Sequence, residues 1–216
     1  MLSVSVSRDG RLVAAGCRDG IIRIWDVQTG YLVERLRGHR NWVRSVAFTP
    51  DDRGLISGSY DRRIKRWDLT PFLKCDTRME PLPPATAFTP MTTSAPGQSA
   101  AVPSKAGGER GSVCTMTSDG HKDVVNSVVV SQDGHWLVSG SDDQSVLFWD
   151  ARNVQALSAL HGHEDSVWSV DVSPTGDMLA TGSLDGTTKI CEFSFAIMGI
   201  PFGAIYSDFA QGNTNV

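Results

Sequence analysis

Within Gly120–Asp150 a histidine, a serine, an aspartate and a tryptophan stand as His121, Ser139, Asp143 and Trp149. Ser, His and Asp are the side chains of a nucleophilic hydrolase, in which the imidazole takes the hydroxyl proton and the carboxylate orients the ring. The rest of the chain argues against that chemistry. His121 precedes Asp143 by 22 residues and Asp143 precedes Trp149 by 6; the same intervals separate His39, Asp61 and Trp67, then His163, Asp185 and Cys191. Ser57 and Thr181 supply the hydroxyl in those two sets, and Asp19 and Trp25 keep the second interval alone. An enzyme has no use for one triad in successive units, whereas a repeated unit needs the same internal brace each time. The set is therefore read as structural, and no catalytic residue is assigned. The carboxylate accepts from one imidazole nitrogen, the hydroxyl serves the other, and the indole N–H has a donor to place. Buried, such a chain is strong only when complete.

The elements that hold these groups are strands. Apolar residues alternate, as in Val125, Ser127, Val129, and turn pairs such as Asp133-Gly134 interrupt them, which is hairpin chemistry. Each unit is expected to be a four-stranded antiparallel sheet, with boundaries at 1–37, 38–119, 120–161 and 162–193. Unit one lacks a preceding Gly-His and has Ala15 in place of the hydroxyl; unit four has Cys191 in place of Trp. Those two units should be the looser ones.

The period breaks once. His39 and His121 lie 82 residues apart, against 42 for His121 and His163. Seven of the ten prolines fall in 70–111, amid Ser, Thr, Ala and Gly, a composition expected to form a disordered loop. It is tolerable in one surface turn because closure entropy grows slowly with length. Ser112–Thr117 then restores the fourth strand of unit two. No fourth strand is evident in unit four, and the tail 194–216 carries an uncharged run broken by Gly199 and Pro201, too short for a membrane helix.

Net charge −4, from 20 basic and 24 acidic side chains, leaves no basic footprint, so direct nucleic-acid binding is disfavoured. The N-terminus alternates and carries Arg8 and Asp9, unlike a signal peptide. Cys17, Cys75, Cys114 and Cys191 are scattered and read as reduced packing thiols. His161 and His163 form an H-x-H, but His163 belongs to the repeat and no further ligands have fitting spacing, so neither metal nor cofactor is expected.

A Gly-His start and a Trp-Asp end in a unit of roughly 40 residues is the signature of a propeller blade. On these motifs, residues 1–193 resemble the WD-repeat family. GHKDVVNSV (120–128), SGSDDQSVLFWD (139–150), HGHEDSVWSV (161–170) and the polar insertion look most like the Tup-type general transcriptional co-repressors of fungi. The resemblance implies an all-β, partial WD-repeat β-propeller with four of an expected seven blades, the chain's beginning supplying the last blade's final strand. It also implies a fragment or truncated gene model, with further blades and an oligomerising helix upstream of Met1. Half a ring would leave raw sheet edges, which pair with other chains.

What the resemblance implies for function is a nuclear, non-catalytic scaffold, with the cytoplasm also open to it. Its partners would be sequence-specific repressors, a tetratricopeptide-repeat co-repressor subunit and histones, with neither nucleic acid nor membrane bound directly. The alternative is a WD-repeat adaptor in ubiquitin ligation, signalling or RNA processing. Docking residues should lie one before each tetrad Asp and just after each Gly-His. These are Arg40, Trp42 and Tyr60 in unit two, Lys122, Val124 and Asp142 in unit three, Glu164, Ser166 and Leu184 in unit four, and Arg18 in unit one. Arg, Trp and Tyr are the residue types enriched in interface hot spots, which makes unit two the expected centre. Trp136 and Trp168 are expected to pack within sheets.

Overall fold

The computed structural model describes residues 1–73, 114–195 and 201–209. They form four antiparallel sheets of four strands each, every sheet in plain sequence order. The first holds β1 (Ser3–Val6), β2 (Leu12–Gly16), β3 (Ile21–Asp26) and β4 (Leu32–Arg37); the second holds β5 (Val43–Phe48), β6 (Gly54–Ser59), β7 (Arg63–Asp68) and β8 (Cys114–Asp119). The third holds β9 (Val125–Val130), β10 (Trp136–Ser141), β11 (Val146–Asp150) and β12 (Gln155–Leu160); the fourth holds β13 (Val167–Val172), β14 (Met178–Ser183), β15 (Thr188–Phe195) and β16 (Pro201–Phe209).

Turn chemistry repeats with the strands. Between the first two strands of a sheet, a hydroxyl takes the N–H of the residue five further on and gives its proton to a carboxylate. Ser7 does this with Leu12 and Asp9, Thr49 with Gly54 and Asp51, and Ser131 with Trp136 and Asp133. Ser173 bonds Met178 in the same way but reaches Asp177. Such side-chain bonds fix a tight turn that backbone pairing alone would leave loose.

The sheets stack through their faces, with β1 beside β5, β5 beside β9 and β9 beside β13. Three apolar layers fill the three joints. Ile22, Ile24, Leu36, Val43 and Leu55 lie between sheets one and two; Ile56, Val125, Leu137 and Leu147 between two and three; and Trp136, Val138, Phe148, Val167 and Leu179 between three and four. The result is an all-β fan of leaves, a partial propeller as the repeat implies. Polar pins join the leaves as well: the Asp52 carboxylate accepts the backbone N–H groups of Arg8 and Asp9 at 2.7 and 3.0 Å.

Two expectations need correction. Unit four does have a fourth strand, and it comes from the tail: β16 pairs with β15, Thr188 opposite Phe209 and Glu192 opposite Ile205. Pro201 is the strand's first residue, where a missing N–H costs no ladder bond, so the proline does not bar a strand. The chain's beginning instead forms β1, paired with β2 in its own sheet. The expected loop 70–111 begins with structure, a helical turn α1 (Thr70–Leu73) whose Phe72 packs on the first apolar layer. The remainder of that loop, and Cys75 with it, lies outside the described residues. Cys17, Cys114 and Cys191 are free thiols, the first and last buried.

Candidate functional site

The repeated brace closes as a hydrogen-bonded chain. In sheet two, Trp67 Nε1–H donates to Ser57 Oγ at 2.8 Å, Ser57 Oγ meets His39 Nε2 at 2.7 Å, and His39 Nδ1 meets Asp61 Oδ2 at 2.9 Å. Sheet three repeats it: Trp149 to Ser139 at 2.7 Å, Ser139 to His121 at 2.6 Å, His121 to Asp143 at 2.9 Å. Because the indole donates to the serine oxygen, the serine proton points to Nε2, and a neutral imidazole bearing its proton on Nδ1 satisfies every member.

The carboxylate also carries the surrounding backbone. Asp61 Oδ2 accepts the N–H of Arg40, and Oδ1 that of Arg63; Asp143 does the same for Lys122 and Ser145. Each aspartate thus ties the loop entering the first strand to the turn between the second and third. The indole further explains the glycine of each Gly-His pair. A Cβ on Gly38 would stand 3.0 Å from the Trp67 ring, and one on Gly120 would collide with Trp149.

Sheet four keeps His163 between Asp185, at 2.8 Å, and Thr181, at 2.8 Å, but with Cys191 there is no indole to fix the hydroxyl, which also lies 3.4 Å from the Lys189 carbonyl. Sheet one replaces the histidine by Arg23, whose guanidinium makes two bonds to Asp19 at 2.6 and 3.2 Å. Ser57 and Ser139 are wholly buried, and the His39 and His121 side chains have no exposed surface. A nucleophile must meet its substrate, and these groups cannot. Both ring nitrogens of His163 are engaged, and among the described residues no group of three or more His, Cys, Asp or Glu could hold a metal ion.

Burial pushes the His39 imidazole below its ordinary range, against the pull of Asp61. Burial pushes the Asp61 carboxyl up, but the His39 N–H and the N–H groups of Arg40 and Arg63 outweigh it and hold the pKa at about 2. Asp143 and Asp185 are likewise held well below the usual carboxylate range against burial, Asp143 chiefly by His121 and Ser145, Asp185 by Thr187 and His163.

On the loop face above the braces, Trp42 and Tyr60 stand 37% and 41% exposed with ring centroids 5.4 Å apart. The guanidinium carbon of Arg18 lies 4.8 Å from the Trp42 centroid. The arginine of this cluster therefore comes from sheet one; Arg40 is exposed, with its backbone N–H on Asp61. Lys122, Glu164 and Leu184 are exposed, and Ser166 is partly buried. Asp142 is partly buried, its Oδ1 accepting from Asn126 Nδ2 at 2.6 Å.

Val124 is a correction, since it is only 4% exposed and offers no docking surface. What its position conserves across the units is a backbone bond: the carbonyls of Trp42, Val124 and Ser166 accept the N–H of Tyr60, Asp142 and Leu184. Trp168 is another. It is 51% exposed rather than packed, with the Arg44 guanidinium carbon 5.0 Å from its ring centroid. Trp136, in contrast, packs on Phe148 in the third joint. Arg44, Asn126 and Trp168 each stand five residues after a repeat histidine, a column that aligning the units would have exposed.

Four-stranded leaves with a repeated buried brace and an open loop face define a WD-repeat β-propeller, a class of protein-interaction scaffold. The family model "WD domain, G-beta repeat" matches residues 1–26, 30–68, 112–150 and 154–192, and the chain belongs to this WD-repeat family. It is similar to proteins named nuclear distribution protein PAC1: 30% identical over 169 residues in Arthroderma otae and 31% over 167 in Coccidioides posadasii. To the PAC1-2 protein of Uncinocarpus reesii it is 32% identical over 165 residues. These matches cover 65% of this chain, which spans about a third of the relatives' own length, 35–36%. They lend no support to the Tup-type likeness. No helix among the described residues is long and apolar enough to cross a membrane.

Proposed function

We propose that the chain is a non-catalytic docking platform that receives a protein partner on its loop face, centred on Arg18, Trp42 and Tyr60. The observation that carries this reading is the half-exposed Trp42–Tyr60 pair with an arginine stacked on it, assembled from two sheets. Large rigid aromatics lose little conformational freedom on contact, and tryptophan, tyrosine and arginine are the types that dominate interface energetics. Lys122, Glu164, Ser166 and Leu184 would extend the surface toward the later sheets, and Arg40 would border it.

The process served is inferred to be the one the relatives are named for, nuclear distribution. A second reading, transcriptional co-repression in the nucleus with DNA-bound repressors, a tetratricopeptide-repeat subunit and histones as partners, rests on the motifs at 120–128, 139–150 and 161–170. The same face would serve either. Proteins co-purifying with the tagged chain from its own cells separate the two: nuclear-positioning components support the first, repressors and histones the second. Replacing Trp42 and Tyr60 together by Ala should abolish that capture while leaving the circular-dichroism melt in place; unchanged capture removes the patch from the site.

A further inference from the structure

Every joint between sheets is built the same way. A glycine near the end of a sheet's second strand lies bare, and valine from the next sheet's first strand sits on it, two such residues at the second and third joints. A Cβ on Gly58 would meet Val125 at 2.6 Å and Val128 at 3.0 Å, and one on Gly140 would meet Val167 at 2.7 Å and Val170 at 3.0 Å. Gly16 faces Val43 alone: a Cβ there would meet the Val43 carbonyl oxygen at 2.7 Å and its Cγ1 at 2.9 Å. A serine hydroxyl on the first strand then accepts an N–H from the next sheet: Ser3 from Val46, Ser45 from Val128 and Ser127 from Val170.

The last sheet carries the same socket with no described residue in it. Among the described residues a Cβ on Gly182 would meet no atom within 4 Å, and Ser169 occupies the position of Ser3, Ser45 and Ser127. The first sheet carries the matching plug. Val4 stands at the position of Val46, Val128 and Val170; it is 55% exposed where they are 5–6%. Met1, 71% exposed, stands at the position of Val43, Val125 and Val167, and a flexible thioether fills such a gap readily.

We propose that the 216-residue chain closes with a second copy of itself, Val4 and Met1 of each copy seating on the Gly182 socket of the other and Ser169 accepting the Val4 N–H. The interface is continuous with the three joints already inside each chain, so it needs no new contact chemistry. It joins unlike surfaces, and such contacts form a ring when the rotation closes. Two copies supply eight sheets, the upper end of the about four to eight leaves that propellers hold, while three copies would overfill it.

The test is the mass of the full chain in solution by light scattering or sedimentation equilibrium. Twice the 23.4 kDa chain mass is expected for the native sequence. Gly182→Trp places an indole in the socket, where a Cβ meets no described atom within 4 Å, and Val4→Arg charges an exposed plug, so each variant alone should run as a monomer with native circular dichroism. Each keeps one intact surface, so their mixture should recover a heterodimer, which misfolded variants could not do. A native chain that stays at 23.4 kDa overturns the proposal. So does a dimer that survives in both variants, or a ladder of larger assemblies.

Discussion

At the residue scale the protein turns catalytic-looking groups into mortar. His121 sits between Ser139 and Asp143 with no exposed surface. His121→Ala should cost on the order of 1–3 kcal/mol, because it leaves the Asp143 carboxylate and the Ser139 hydroxyl underpaired. His163→Ala should cost less, since Thr181 already has the Lys189 carbonyl within reach and no indole depends on it. Equal shifts in denaturant midpoint would contradict the difference. The second brace sets a pH response through His39 and Asp61. His39 is held below its ordinary 6.5, so its share of stability is complete above about pH 6.5 and declines as pH falls, the unfolded chain binding the proton first. Asp61 is held at about 2 against an ordinary 3.8, so its share is present above 3.8 and is lost as pH falls through 2. Urea midpoints measured from pH 8 to pH 2 should therefore drop in two stages, and a flat profile down to pH 3 would count against this account of the brace.

At the scale of elements, the strands were legible because a spacing that recurs in three units assigns each residue a place. The brace was legible for the same reason, down to the missing indole at Cys191. The fates of individual side chains were not. Val124 shares a position with exposed Trp42, yet what the repeat demands there is a carbonyl, which leaves the side chain free to be covered in one unit and exposed in another. The final strand β16 escaped detection because it has no Gly-His or Trp-Asp landmark and begins at a proline. A turn gives a further prediction. The residue after each tetrad aspartate adopts a left-handed conformation, with φ +76° at Gly20 and +79° at Gly186, but also +70° at Arg62 and Gln144. A side chain pays a steric cost there that glycine avoids, partly offset by glycine's greater freedom when unfolded. Gln144 is exposed, so Gln144→Gly should stabilise the chain by up to about 1 kcal/mol, read as a higher melting temperature; a lower one would show that the Gln144 side chain contributes something of its own.

At the largest scale, the four described leaves make three joints, and stability should follow that count. Sheets two and three have an apolar layer on both faces and complete braces; sheets one and four have one layer each and a brace with substituted members. Amides open either by global unfolding or by local release of a leaf, and the cheaper route sets the exchange rate. In β6 and β10, every residue of which is buried, the global route should dominate, so their exchange should be the slowest in the chain. In β2 and β14 release of an end leaf should come first. An association that covers only the end leaves raises the cost of that release with protein concentration, because binding stabilises by mass action. Hydrogen exchange followed by mass spectrometry should thus show β6 and β10 the slowest at any concentration, and protection rising with concentration in the peptides of β1–β2 and β13–β14 and also in those of β6 and β10, because global unfolding dissolves the association too. Peptides of β1–β2 and β13–β14 that exchange as slowly as those of β6 and β10 at low concentration would mean the four leaves unfold as a single unit, and the gradient from centre to edge would have to be abandoned.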